Sequence, residues 1–269
     1  CLMDDVWTAF GGEPVVKKAL PIFAVLTLSA TGTEMNQFAV VTNEDEMMKW
    51  PLAGPALYPT VSIVDPTTQQ SLPPVQTAYG GIDAMAHIME SHFMGTRQET
   101  TISINEGLMR SIIKCVDHLQ KEPSGYDNRA NLAWATTLAL NGLSGVGMNG
   151  GDWATHFIEH SVSAFHPDVA HAAGLAVLFP AWILHVKEQN REGFVRWAKE
   201  VWGADSIEQG VSTMKAKFNQ WGVATSLSEL GIKESEIEAI ADNALLMGTL
   251  GQLKPLSRED IVAILKLAL

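Results

Sequence analysis

Two adjacent prolines, Pro73 and Pro74, separate two kinds of hydrophobic pattern, and that switch constrains the fold more than any other feature. Upstream, apolar residues fall in short β-branched runs: LPIFAVLTLS over 20–29, FAVVT over 38–42 and TVSIV over 60–64, each flanked by turn formers. The first is expected to be a buried strand, and NEDE (43–46) a turn. Neither proline can donate a backbone hydrogen bond, so the pair is expected to stop any regular element. Downstream the apolar period becomes about 3.6 residues and stays there. Helices are expected near 76–94, 101–120, 128–144, 153–164, 170–188, 191–202, 206–221, 235–247 and 258–268. Asp205 with Glu208, Ser235 with Glu238 and Ser257 with Asp260 have the capping-box spacing, and Gly203, Gly222 and Gly248 mark stops. Leu138, Leu140 and Leu143, with Trp197 and Trp202, read as core. The fold expected is mostly α: a short α/β segment over residues 1–74, then a helical domain over 75–269.

Size and charge narrow the function. A chain of 269 residues can bury a substantial core. Its net charge of −12 leaves no broad basic surface for phosphates, which argues against nucleic acid as a partner. Two cysteines, Cys1 and Cys115, build neither a disulfide framework nor a zinc knuckle and fit a reducing cytoplasm. No apolar run approaches the ~18 residues of a membrane span, so no membrane partner is expected. The chain opens on Cys1 within what reads as a helix-to-loop transition, and it is expected to lack its true amino terminus.

The histidines are unevenly placed. Of eight, four lie between positions 156 and 171. His156 and His160 are four apart, as are Asp83 and His87 in GGIDAMAHIMESH (80–92). On a helix such pairs share a face, so each could place two donor groups on one divalent cation, with His171 approaching from the next helix. Gly80 and Gly81 are expected to let the backbone turn sharply into the first helix. Taken alone, Asp83 and His87 read more plainly as a polar surface pair. Their neighbours Ile82, Ala84, Met85, Ala86, Ile88 and Met89 make that helix apolar nearly all round, hence buried. A buried carboxylate needs a charged partner. His156 and His160 could be satisfied core imidazoles, a strained explanation for four neighbouring histidines. His92, His118 and His185 read as ordinary side chains. Three imidazoles and a carboxylate suit Fe(II), Zn(II), Co(II) or Ni(II) rather than calcium or magnesium. Five histidines compete for fewer places.

Four blocks, TLSATGTEMN (27–36), GGIDAMAH (80–87), HFIEH (156–160) and VAHAAGLAVLFP (169–180 with its histidine at 171), occur in an order that resembles the iron-dependent alcohol dehydrogenases, especially their butanol dehydrogenase branch. The resemblance runs from about residue 19 to the end. It implies that Asp83, His87, His156 and His171 bind one Fe(II) or Zn(II), which acts on an alcohol or carbonyl oxygen beside a nicotinamide dinucleotide, NAD(H) or NADP(H). It gives His160 a part in proton transfer, which a neutral imidazole suits. It assigns Thr27 and Thr31 to the cofactor. Lys49 is a looser match to a cofactor-contacting lysine, and reads more plainly as a surface lysine.

The resemblance makes residues 1–74 a remnant of a Rossmann-like dinucleotide-binding domain and 75–269 the metal-binding catalytic domain. It implies small-molecule alcohol and aldehyde substrates and is compatible with a homodimer. Three departures stand out: Ala172 where the family usually has Gly, a slightly longer 161–170 segment whose His166 could compete as a ligand, and no GGGS-type phosphate turn. Gly11-Gly12 and Gly150-Gly151 are followed by Glu13 and Asp152 and do not replace it. A rival reading is therefore a non-catalytic metal-binding fragment of such an enzyme. A relative of glycerol dehydrogenase or dehydroquinate synthase is a third, against which the three-His-plus-Asp set and HFIEH argue.

Overall fold

A computed structural model describes residues 5–10 and 16–269. Cys1 and the Gly11-Gly12-Glu13 stretch lie outside the described residues. The first part is sparse in strand. β1 (Phe23–Val25) pairs in parallel with β4 (Val61–Ile63), Phe23 facing Val61. Between them, β2 (Phe38–Asn43) and β3 (Met48–Ala53) form an antiparallel hairpin, Phe38 opposite Ala53. The strand expected over 20–29 shrinks to three residues and is not buried, for Phe23 is 69% exposed. The 43–46 turn joins β2 to β3, a strand that Pro51 concealed; a two-stranded hairpin has free edges where the missing N–H costs nothing.

The rest is helical: α1 (Pro74–His92), α2 (Glu99–Leu119), α3 (Tyr126–Leu140), α4 (Ala154–Phe165), α5 (His171–Val186), α6 (Arg191–Trp202), α7 (Ile207–Gln220), α8 (Ile237–Ala244) and α9 (Arg258–Ala268). Pro73 and Pro74 do not stop regular structure; they begin it. Pro73 is the N-cap and Pro74 the first helical residue, where a missing N–H is one of the helix's unpaired donors anyway.

Two helices form the centre. Every residue of α1 from Gly80 to His92 is buried, as is every residue of α5 from Ala172 to Ile183. α1 packs against α2, α3 and α5, while α5 packs against α4, α7 and α9. Fully buried Ile82 and Ile88 on α1 each contribute roughly 1.5–3 kcal/mol by leaving water. The outer helices need cover one face only. Trp197 on α6 is wholly buried, whereas Leu138, Leu140 and Leu143 are half-buried and not core.

Gly80 and Gly81 turn no corner, because both lie inside α1. They permit close approach: a Cβ on Gly80 would sit 2.0 Å from the Ser29 carbonyl oxygen, and one on Gly81 would sit 2.6 Å from Val116 Cγ2. Residues 27–36 are thereby pressed against α1. Side chains fix the same loop from other directions. Asn36 Nδ2 donates to the carbonyls of Thr31 (2.7 Å) and Gly32 (2.8 Å), and Ser29 Oγ donates to Gln69 Oε1 (2.8 Å). The Ser257–Asp260 capping box forms, but α7 is capped by Ser206 rather than Asp205, which lets Ile207 enter the core at 2% exposure. The box expected at Ser235 does not form; instead Glu236 Oε2 accepts the backbone N–H of Lys233 at 2.8 Å ahead of α8. Among the described residues, no helix is long and apolar enough to cross a membrane.

Candidate metal centre

Asp83, His87 and Glu90 project from one face of α1, being spaced by four and three residues. His156, Glu159, His160 and Ser163 do the same from α4, and His171 opens α5. Donor atoms of Asp83, His87 and His156, from α1 and α4, all lie within 4.8 Å of one another, and those of Glu159, His160 and His171, from α4 and α5, form a second such group. Asp83 Oδ2 is 3.6 Å from His87 Nδ1, and Asp83 Oδ1 is 3.6 Å from His171 Nε2. Two ligand atoms each ~2.1 Å from a tetrahedral ion stand about 3.4 Å apart, so these separations match a shared centre. The rings of His87 and His156 stack with centroids 4.8 Å apart, and those of His156 and His171 are 5.6 Å apart.

The decisive feature is what these atoms lack. Both carboxylate oxygens of Asp83, Nδ1 of His87, Nε2 of His156 and Nδ1 of His160 are buried without a hydrogen-bond partner. An uncompensated buried carboxylate costs several kcal/mol, and a divalent cation is the partner this donor set fits. Burial holds His87 down at about 4 and His156 at about 3, in each case opposed by Asp83, and lowers His160 well below the usual imidazole value. Neutral imidazoles are what a cation requires.

A second layer surrounds the first. Glu90, entirely buried, accepts from the backbone N–H of Trp153 (2.5 Å) and lies 2.6 Å from His156 Nδ1. Without a cation at the centre, burial raises its carboxyl to about 8, against those two hydrogen bonds. Trp153 adopts a left-handed backbone (φ 61°) and caps α4, with its indole edge against His156. Glu159 contacts His171 Nδ1, Lys49 Nζ (3.3 Å) and Ser163 Oγ. Burial would raise Glu159, but His171 and Lys49 outweigh it and hold the carboxyl well below its usual range.

The centre floors a cavity of about 650 Å³, whose walls include Phe38, Val40, Leu140, Trp153 and Phe157. Thr31 and Lys49 line it with His87, His156, His160 and His171. Thr27 is exposed at the other end of the loop and does not line it. Lys49 is not a surface lysine: Glu159 draws its amine inward, leaving the side chain 14% exposed. His166 does not compete for the centre, since its Nε2 pairs with Glu236 at 3.1 Å. His185 pairs with Asp260, and His92 is buried at the C-terminal end of α1. Sequence reasoning missed Glu90, Glu159 and Trp153. The available signal was a glutamate three positions from a histidine on each of two otherwise apolar helix faces.

Residues 77–269 match the profile of the Fe-containing alcohol dehydrogenase family, C-terminal, and residues 2–66 match a separate profile described as iron-containing alcohol dehydrogenase. A probable NADH-dependent butanol dehydrogenase of Bacillus subtilis is 35% identical over 98% of this chain and 70% of its own length. NADH-dependent butanol dehydrogenase A of Clostridium acetobutylicum is 34% identical over 97% and 70%. The crystal structure of NADH-dependent butanol dehydrogenase A from Thermotoga maritima superposes with a TM-score of 0.96 at 46% identity, covering 99% of this chain and 70% of that one.

Proposed function

The chain belongs to the iron-containing alcohol dehydrogenase family, and we propose that it carries the metal-binding part of a nicotinamide-dependent dehydrogenase for a primary, butanol-like alcohol and its aldehyde. The observation that supports this most is the convergence of unpartnered buried donors from α1 and α4 on the floor of a largely apolar cavity. Asp83, His87, His156 and His171 would hold Fe(II) or Zn(II). When bound, such an ion supplies Lewis acidity to the substrate oxygen.

The remaining roles belong to the chain's own residues. Phe38, Val40, Leu140, Trp153 and Phe157 receive the hydrocarbon part of the substrate and exclude water around it. His160, at the cavity wall with Nδ1 unpartnered, takes or returns the hydroxyl proton. Thr31 and Lys49 face the cavity and would contact NAD(H) or NADP(H), with Thr27 contacting it from the start of the same loop. Holding cofactor and alcohol side by side contributes by orientation. Residues 1–74 are read as part of the dinucleotide-binding domain and 75–269 as the metal-binding domain. The start of α1 at Pro74 and the division of the two family profiles between 66 and 77 support that reading.

The test is aldehyde-dependent oxidation of NADH and of NADPH by the chain loaded with Fe(II) or with Zn(II). Turnover with butanal in at least one combination is expected. A metal-loaded chain that binds neither dinucleotide would favour the non-catalytic reading.

A further inference from the structure

Two of the imidazoles at the centre are each gripped from behind by a buried glutamate. His156 turns Nδ1 toward Glu90 Oε1 at 2.6 Å and leaves Nε2 buried and unpartnered. His171 turns Nδ1 toward Glu159 and Nε2 toward Asp83. The arrangement is the same in both: carboxylate on Nδ1, Nε2 facing the centre. Both carboxylates are at 0% exposure.

Each glutamate has a made-to-measure seat. Glu90 receives the Trp153 N–H on its second oxygen, and its own carbonyl receives the Asp152 N–H at 3.0 Å. Glu159 fits only because α5 carries glycine opposite it: a Cβ on Gly174 would come within 2.7 Å of Glu159 Cγ. Lys49 Nζ donates to Oε2 of Glu159 and Ser163 Oγ to its Oε1. A buried carboxylate that merely filled space would be costly. One that accepts an imidazole Nδ1–H fixes the tautomer and the ring plane, and makes Nε2 a better donor to a cation.

We propose that Glu90 and Glu159 are positioning residues that act through His156 and His171, holding both rings in the Nδ1–H tautomer so that both Nε2 lone pairs point at the metal centre. This rests on the metal-binding reading above. Neither glutamate lines the cavity. Glu90 has a second consequence, because the atoms that seat it also set the left-handed Trp153 that walls the cavity. Its effect therefore reaches the shape of the substrate site as well as the ion.

The test uses Co(II), whose visible spectrum reports ligand geometry without any turnover. The 269-residue chain, Glu90→Gln and Glu159→Gln are titrated with Co(II) against a competing chelator, with circular dichroism as the check on folding. An amide in place of the carboxylate removes the charge and sets an N–H₂ against one of the donors it must receive. Each variant is expected to fold, to bind Co(II) 10–100-fold more weakly and to show an altered visible spectrum. Unchanged affinity and spectrum in both folded variants would overturn the proposal while leaving the metal site intact. Failure of the unmodified chain to take up Co(II) stoichiometrically would overturn both. If a variant does not fold, histidine ¹⁵N spectra of the unmodified Zn(II)-loaded chain decide: protons on Nδ1 of His156 and His171 support the assignment, and protons on Nε2 refute it.

Discussion

Oδ1 of Asp83, deep in the central helix, lies 3.6 Å from Nε2 of His171, the first residue of a helix that begins far along the chain. Neither oxygen of Asp83 has a hydrogen-bond donor, and the helix around it is apolar. In metal-free protein Asp83 is therefore a liability. Asp83→Asn is expected to stabilise the metal-free chain by roughly 1–3 kcal/mol, by removing an uncompensated charge. With Zn(II) present the order reverses, because only the original chain gains from binding. Urea unfolding with a chelator and with the ion measures both; the same order in each condition contradicts the assignment.

Gly80 is where the loop over 27–36 meets the helix that carries Asp83 and His87. Gly80→Ala places a methyl 2.0 Å from the Ser29 carbonyl, a backbone atom that no side-chain rotation can clear. The loop must move, at a cost of about 1–3 kcal/mol. Metal content should be retained while dinucleotide affinity falls, as isothermal titration with NADH and NADPH can show. Unaltered affinity would mean the loop does not serve the cofactor.

His92 offers a pH test away from the centre. Burial, with Arg196 nearby, holds its imidazole down at about 4 against an ordinary 6.5. The folded pKa is depressed, so between those values the unfolded chain binds a proton that the folded chain does not. The stability His92 permits is full above about pH 6.5 and is lost as pH falls toward 4. Between about pH 7.5 and 5, His92→Leu should lose about 2 kcal/mol less than the original chain, from 1.36 kcal/mol per unit. Equal losses in urea unfolding at the two pH values would exclude the effect.

Much of this was legible before any coordinates, and the reasons for the failures are physical. Helix α6 was read at its observed bounds because its period is long and one-sided. A buried donor cluster was suggested by a carboxylate among Ile82, Ala84, Met85 and Ile88, which demands a partner, and by four histidines between 156 and 171; the choice of His156 and His171 among them came from the family resemblance. β3 was not, since Pro51 contradicts a strand until its place in a two-stranded hairpin is known. Lys49 read as surface because its partner, Glu159, is remote in sequence. Glu90 and Glu159 look like ordinary helix charges until the imidazoles they seat are in view. Tertiary partners, not local propensities, decided all three.

The most direct measurement is metal content, by elemental analysis, of the unmodified chain and of His87→Ala after identical loading with Fe(II) or Zn(II) and removal of the excess. One ion per chain is expected in the former and its loss in the latter, together with loss of any aldehyde reduction. Stoichiometric metal retained by His87→Ala would contradict the shared centre of Asp83, His87, His156 and His171, and with it the account of how this chain works.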